Sequence, residues 1–204
     1  MPEVKKINTD IKSKNHRKII ILTAAVIILI SLTLIYMFKG PYYSRIDMTV
    51  TALMVSEENT DVKEVKIIIK GEYVRYIIPN DYYRGKFIIN GFNTTEWLEH
   101  TNFYLGKKVL SYMMYTNRGN IVVQEYQNSL FGSIIADKKF KSFVIIPYED
   151  SLEDPSYYGY HGGMGFNEDK ITVIVYPADT REGAVALANE KLTACFGEDF
   201  KPMK

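Results

Sequence analysis

The sequence contains a single cysteine, Cys195, among its 204 residues. One cysteine excludes an intramolecular disulfide, although a domain of roughly 165 residues is large enough to bury a core without disulfides. Secreted domains in oxidising compartments often carry several disulfides, so this usage favours the outer face of a bacterial membrane. We predict that Cys195 is a small buried apolar side chain rather than a nucleophile.

Motifs for catalysis and for metal or nucleotide binding are also scarce. The sequence has no G-x-S-x-G, no H-E-x-x-H and no G-x-x-x-x-G-K-[ST] pattern. Of the three histidines, His16 lies near the N-terminus, which leaves only His100 and His161 for the remainder of the chain. Two histidines are too few for a multi-histidine metal site, and the acidic residues near His161 do not have calcium-loop spacing. We therefore predict no catalytic residues, no metal and no cofactor.

Neither sign of charge is in large excess along most of the chain. Six of the 25 basic residues and two of the 24 acidic residues precede Ile19, so the part after Phe38 has a net charge near −3. No run of lysine or arginine suggests a basic patch there. This balance argues against nucleic acid as a partner.

One long apolar run stands out, from Ile19 to Phe38, with 20 residues and no charge. A helix of that length spans roughly 30 Å at about 1.5 Å per residue, which matches the hydrocarbon core of a bilayer. We predict a transmembrane helix over residues 19–38, with the lipid bilayer as its partner. Because lysine and arginine are concentrated before the run, we predict a cytoplasmic N-terminus and an outer C-terminal part.

The flanks of this run predict that it is an uncleaved signal anchor. It is longer than the apolar region of a cleaved signal, and no small-x-small cleavage site follows it. The predicted organisation is therefore a basic cytoplasmic tail over residues 1–18, the transmembrane helix, a juxtamembrane linker over residues 39–45 and an extracytoplasmic domain over residues 46–204. The cell membrane is the predicted location.

Short segments of strand character fill most of the outer domain. Apolar residues alternate with polar ones from Ile46 to Met54, and β-branched and aromatic residues dominate Val65 to Ile78. Gly71 interrupts the second segment and indicates either a tight turn or a bulge. Further segments extend to Tyr176, which gives a predicted total of seven to nine strands.

The period changes near the C-terminus, from two to that of a helix. Asp179 begins a capping-box pattern, and an apolar stripe with helical spacing runs from Val185 to Cys195. An amphipathic helix after a series of strands is expected to cover one face of the sheet. The predicted fold class is α+β: an N-terminal transmembrane helix, then a twisted, mainly antiparallel β-sheet with one C-terminal amphipathic helix.

Two stretches carry a resemblance. They are IKGEYVRYIIPNDYYRGKFII, from Ile69 to Ile89, and YPADTRE, from Tyr176 to Glu182, followed by the predicted helix. They resemble stretches that recur in the same order in uncharacterised small single-pass membrane-anchored proteins of Gram-positive bacteria, over roughly residues 46–196. That group has no assigned activity, so the resemblance implies an anchored outer domain and no catalytic residue.

A long loop is the most distinctive candidate for binding. The stretch DPSYYGYHGGMGFNEDK, from Asp154 to Lys170, belongs to a predicted connection of about twenty residues, a length typical of functional or disordered loops. Tyrosine, glycine and serine also make adaptable contact surfaces. The candidate binding residues are Tyr157, Tyr158, Tyr160 and His161. The alternative interpretation is a flexible connector between two strands.

Three functions are consistent with these patterns. The leading hypothesis is a single-pass membrane protein whose non-enzymatic outer domain binds or assembles with a membrane or cell-surface protein. The second is a cell-envelope hydrolase that uses acidic residues near 149–154, since glycoside hydrolysis needs a pair of carboxylates. The third is a small membrane sensor or regulator, whose basic tail is too short to hold an output domain.

Overall fold

The structure is a computed structural model of the full chain. The chain divides into two compact units, Met1–Gly40 and Pro41–Lys204. The residues that the structure describes are 3–39, 42–75, 80–116, 128–148, 171–197 and 200–204.

The first unit is a single helix, α1 (Glu3–Lys39). Its apolar part, Lys18–Tyr36, has 19 residues and is long and apolar enough to cross a membrane. The hydroxyls of Thr23 and Thr33 donate to the carbonyl oxygens four residues earlier, at 2.9 and 2.8 Å, so neither is left unsatisfied in the apolar run. The predicted helix over residues 19–38 is thus part of a longer helix that begins in the basic tail.

The second unit is a closed barrel of eight antiparallel strands in which each strand pairs with the next along the chain. Strand β1 begins inside the segment predicted to be a linker. The strands are β1 (Tyr42–Ser56), β2 (Lys63–Arg75), β3 (Asp81–Ile89), β4 (His100–Leu105), β5 (Leu110–Thr116), β6 (Asn128–Ala136), β7 (Phe143–Pro147) and β8 (Thr172–Tyr176). Among the described residues, this unit also contains two helices and a 3₁₀ turn: α2 (Asn93–Leu98), the turn Lys138–Phe140 and α3 (Arg181–Phe196).

Closure of the sheet corrects the predicted fold class. Leu53 to Ser56 at the end of β1 pair with Val175 to Thr172 of β8, so the first and last strands are joined. The prediction of a twisted, mainly antiparallel sheet with one C-terminal helix was wrong, because the eight strands close into a barrel, and the chain has a helix near each of its ends. Alternation along a strand shows which side chains share a face, but pairing between strands over a hundred residues apart leaves no local signal.

The interior of the barrel is packed with apolar and aromatic side chains. The ring of Phe140 lies 5.0–6.3 Å, between centroids, from the rings of Tyr83, Phe87, Phe103 and Phe143. All five side chains are buried. An eight-stranded barrel is just wide enough for side chains to fill, and these rings occupy its centre.

Gly71 and Gly85 allow β2 and β3 to approach each other closely beside this core. They face each other in the register of β2 and β3, and a Cβ on Gly71 would lie 2.4 Å from the carbonyl oxygen of Arg84. The ring of Tyr83 also lies beside Gly71. The register is regular on both sides of Gly71, so neither the predicted turn nor the predicted bulge occurs there.

A second apolar cluster lies outside the barrel, under α3. Ala184, Ala188 and Leu192 pack on outward side chains of β1, β6, β7 and β8, such as Val144 and Val175. The N-cap is Thr180, whose side chain accepts from the Gly183 N–H at 3.1 Å, one residue after the predicted cap. The predicted C-terminal helix is therefore present, and it covers strands that are buried on both faces.

Candidate functional site

The outer face of β1–β4, which no described element of this unit covers, carries an ordered array of polar side chains. Outward positions of the four strands align in rows because the register pairs Arg45 with Glu72, Glu72 with Arg84, and Arg84 with Asn102. A neighbouring row contains, in the same strand order, Asp47, Lys70, Lys86 and His100. Charged side chains thus repeat across three neighbouring strands on one side of the barrel, and β4 adds the polar side chains of Asn102 and His100.

Arg84 is the most constrained cation of this face. Its Nε and Nη2 lie 2.7 and 2.6 Å from Oε2 of Glu72, and its guanidinium carbon lies 5.8 Å from the centre of the Tyr43 ring. The hydrogen bond and charge of Glu72 raise the pKa of Arg84. A planar guanidinium held in this way is preorganised for a carboxylate or phosphate oxygen.

The remaining cations differ in their partners. Lys86 forms an ion pair with Glu99, and Lys70 lies 3.7 Å from Asp47 with both side chains 54% exposed. Such exposed pairs contribute little to stability. Among the residues that the structure describes, none forms an ion pair with Arg45.

These side chains surround an open groove of about 800 Å³. Four cationic side chains line it together with Tyr43, His100 and one carboxylate: Arg45, Lys70, Arg84, Lys86 and Glu72. Three of these cations have carboxylate partners, so the excess of positive charge at the groove comes from Arg45, beside the ring of Tyr43. This chemistry fits an anionic ligand with hydrogen-bonding groups.

The residues predicted to bind are not part of this groove as far as the structure describes it. Tyr157, Tyr158, Tyr160 and His161 lie outside the described residues, and so do the acidic residues near 149–154. The binding loop and the hydrolase alternative therefore stay predictions. In the described part of the chain, no group of three or more histidine, cysteine or acidic side chains is arranged to hold a metal ion.

Cys195 lies on the apolar side of α3, as predicted, but the predicted burial is met only in part. It is partly buried and packs against the cluster under the helix. Burial raises the pKa of its thiol above the usual range. A protonated thiol is a poor nucleophile, so the geometry does not make Cys195 a reactive group.

Sequence reasoning missed the groove itself. Its signal was present as charged residues at alternate positions of neighbouring strands, such as Arg45 on β1, Lys70 and Glu72 on β2, and Arg84 on β3. The same pattern is typical of any strand with one solvated face. Only the strand register shows that these charges adjoin.

Comparison with protein-family models, with curated proteins and with solved structures gives no match. The resemblance to Gram-positive membrane-anchored proteins therefore stays a prediction. Functional inference depends on the geometry of this chain alone.

Proposed function

We propose that the protein is a single-pass membrane protein whose outer domain binds an anionic ligand in the groove on β1–β4. The observation that carries the proposal is the array of Arg45, Glu72 and Arg84 beside Tyr43, open to solvent at the surface of a packed barrel. The anionic group is a phosphate or carboxylate, presented by a molecule or protein at the cell surface.

The anchoring part of the proposal is supported by α1 and its flanks. The apolar run of α1 has the length of a membrane span, and the basic residues before it favour a cytoplasmic N-terminus. The barrel then lies outside the cell.

Labelling in intact cells tests this orientation. A Cys195→Ala background carries one added cysteine, either Lys63→Cys on the exposed start of β2 or Ser13→Cys before the apolar run. A membrane-impermeant maleimide is expected to label Lys63→Cys in intact cells and Ser13→Cys only after lysis. The opposite pattern, or labelling of both, would contradict the proposed topology.

The binding part of the proposal rests on charge and shape. Arg84 is held by Glu72 and Tyr43, while Arg45 faces the same carboxylate from β1. An incoming anion can bind both guanidinium groups without displacing a buried side chain. Charge-assisted hydrogen bonds of this kind are stronger than neutral ones, and solvent exposure weakens them.

Titration of the full chain in a non-ionic detergent tests this binding. Pyrophosphate and tetragalacturonate serve as phosphate and carboxylate probes, and arginine Nε–Hε chemical shifts report on Arg45 and Arg84. We expect at least one probe to shift both signals. The double variant Arg45→Gln and Arg84→Gln is expected to weaken binding about tenfold or more, because it removes both guanidinium groups.

Lys63→Gln with Lys66→Gln is the matched control, because it removes two exposed cations from another part of β2. This control is expected to bind within about twofold of the wild type, since screening weakens distant surface charges. Equal loss in both double variants would show non-specific attraction. Absence of any shift with either probe would refute the anionic-ligand proposal.

A further inference from the structure

Two neighbouring turns bring five lysines together at one end of the barrel. One turn, over residues 106–109, joins β4 to β5, and the other, over residues 137–142, joins β6 to β7. The Gly106 N–H donates to the carbonyl oxygen of Ala136 at 2.9 Å and fixes the two turns side by side. The exposed lysines, named here the lysine end, are Lys107, Lys108, Lys138, Lys139 and Lys141.

The backbone of the second turn is built to direct these side chains outward. Lys139 and Phe140 have φ values of 58° and 54°, which non-glycine residues rarely adopt. Phe140 is completely buried among the rings of the barrel interior. Insertion of this ring maintains the strained turn, and the adjoining lysines are left at the surface.

The carboxylates beside these turns are already neutralised within the fold. Asp81 is 3% exposed, accepts a hydrogen bond from the Tyr73 hydroxyl at 2.5 Å and lies 3.2 Å from Nζ of Lys138. Asp137 lies 3.1 Å from Nζ of Lys191 and accepts from the Ser142 hydroxyl. Among the described residues, the other four lysines of the lysine end form no ion pair.

Strand order places the lysine end on the same side of the barrel as the start of β1. In a barrel of consecutive antiparallel strands, the turns β2–β3, β4–β5 and β6–β7 lie at the end where β1 begins. In the sequence only Gly40 and Pro41 separate Lys39 from Tyr42, a covalent link of at most about 11 Å.

We infer that the lysine end contacts the anionic headgroups of the membrane in which the protein is anchored. This inference rests on the anchoring part of the proposed function and is independent of the groove. The charges are spread over two turns instead of converging on one point, which suits a surface of many phosphates better than one bound phosphate. Each lysine near an anionic bilayer strengthens the contact about fivefold.

Lysine footprinting of the full chain in nanodiscs tests the inference. One sample contains phosphatidylcholine alone and the other contains roughly a third phosphatidylglycerol, the anionic component. Acetylation rates of single lysines are measured by mass spectrometry. The five lysines are expected to react at least about threefold more slowly in the anionic nanodiscs, and salt at about 0.5 M is expected to remove the difference. Lys63 and Lys66, near the opposite end of the barrel, serve as internal controls with unchanged rates.

Paired variants sharpen the test. Lys107→Gln with Lys141→Gln is expected to reduce the protection of Lys108 and Lys139, whereas Lys63→Gln with Lys66→Gln is expected to leave it unchanged. Neither pair includes Lys138, whose ion pair with Asp81 belongs to the fold.

Three outcomes would overturn the inference. The first is equal acetylation rates in both kinds of nanodisc. The second is that soluble glycerol phosphate, added to nanodiscs of zwitterionic lipid, protects the lysines as well as the anionic nanodiscs do, which would indicate a site for free phosphate. If the chain fails to insert into nanodiscs, the anchoring part of the proposed function is refuted. The lysine end is then tested by sedimentation with anionic and zwitterionic vesicles. Equal sedimentation with the two kinds of vesicle is the third outcome that would overturn the inference. The variant Arg45→Gln with Arg84→Gln is expected to retain the protection of the five lysines against acetylation, whether or not the groove binds an anion. Failure of this inference and failure of the groove proposal can therefore be distinguished.

Discussion

The strands under α3 and the strands of the groove belong to one barrel, but their outward side chains differ in kind. Beneath α3, outward residues such as Val144 and Val175 are apolar and buried. On β1–β4, outward residues such as Arg45 and Arg84 are charged and exposed. The difference shows which face of the barrel α3 covers and which face the described residues leave exposed.

The largest expected effect on stability comes from breaking an ion pair on the face that α3 covers. On the covered face, Lys191 of α3 is 6% exposed and pairs with Asp137 at 3.1 Å. Lys191→Met leaves the Asp137 carboxylate without its cation, which is expected to lower the free energy of unfolding by about 3–5 kcal/mol. This loss is measured by urea unfolding of the full chain in detergent, monitored through the near-ultraviolet circular dichroism of buried tyrosines.

The double variant Lys191→Met with Asp137→Asn is the control for that mechanism. It removes the uncompensated charge and is expected to recover part of the lost stability. A single variant as stable as the wild type would show that the covered face does not depend on the pair.

Close strand approach beneath the groove gives the next largest effect. Gly71→Ala places a Cβ 2.8 Å from the Cα of Gly85 and closer still to a carbonyl oxygen, so β2 and β3 must separate. We expect a loss of about 1–3 kcal/mol in the free energy of unfolding. Gly183→Ala, in the first turn of α3, meets only the Thr180 hydroxyl at 3.3 Å and is the matched control, expected near neutral. Equal stability of both variants would contradict the packing argument.

Two buried tyrosines of the barrel interior are expected to make the folded domain less stable at alkaline pH, and this effect is common to both faces. Burial raises the pKa of Tyr83 and of Tyr115, and each hydroxyl donates to a backbone carbonyl oxygen. Because the folded state favours the neutral phenol, the stability from each is complete below about pH 10 and declines as pH rises, by about 1.4 kcal/mol per pH unit.

Equilibrium unfolding as a function of pH measures this slope, and phenolate absorbance reports ionisation. Tyr115→Phe removes one of the two ionisable groups and is expected to make the decline shallower above pH 10. Ionisation of both tyrosines near pH 10 without loss of near-ultraviolet dichroism would refute the expectation.

Surface pairs on the groove face give the smallest effect. Lys70→Met removes an ion pair of 3.7 Å whose side chains are half exposed, so the free energy of unfolding is expected to change by less than about 0.5 kcal/mol. Parallel urea unfolding of Lys70→Met and Lys191→Met compares the two faces directly. Equal losses would remove the distinction between them.

Local patterns predicted the elements better than their arrangement. The apolar run of α1, the strand alternation from Ile46 to Met54 and the stripe of α3 all follow from side-chain period, which local geometry determines. Strands β7 and β8 carried a further signal, because continuous apolar residues are typical of strands buried on both faces. That signal agrees with the helix over them but does not specify a closed barrel.

The candidate surfaces could not be read from the sequence because their residues come from separate elements. Lys107 and Lys139 are far apart in the chain, and the two short lysine runs that contain them become one surface only when the two turns lie side by side. Likewise, Arg45 and Arg84 lie on either side of Glu72 only through the register of three strands. Distances between such residues depend on tertiary pairing, which one sequence does not reveal.

The joint between β1 and β8 also sets the order in which the domain can fold. Ser56 pairs with Thr172, and their hydroxyls meet at 3.1 Å across 116 residues of chain. A contact of such sequence separation forms late because the loop between its ends must first be ordered. A chain that emerges N-terminus first can pair β1 with β2 early, but it holds an unclosed sheet until β8 arrives. We therefore expect ring closure to come late in folding, together with the packing of α3 on the strands that it covers.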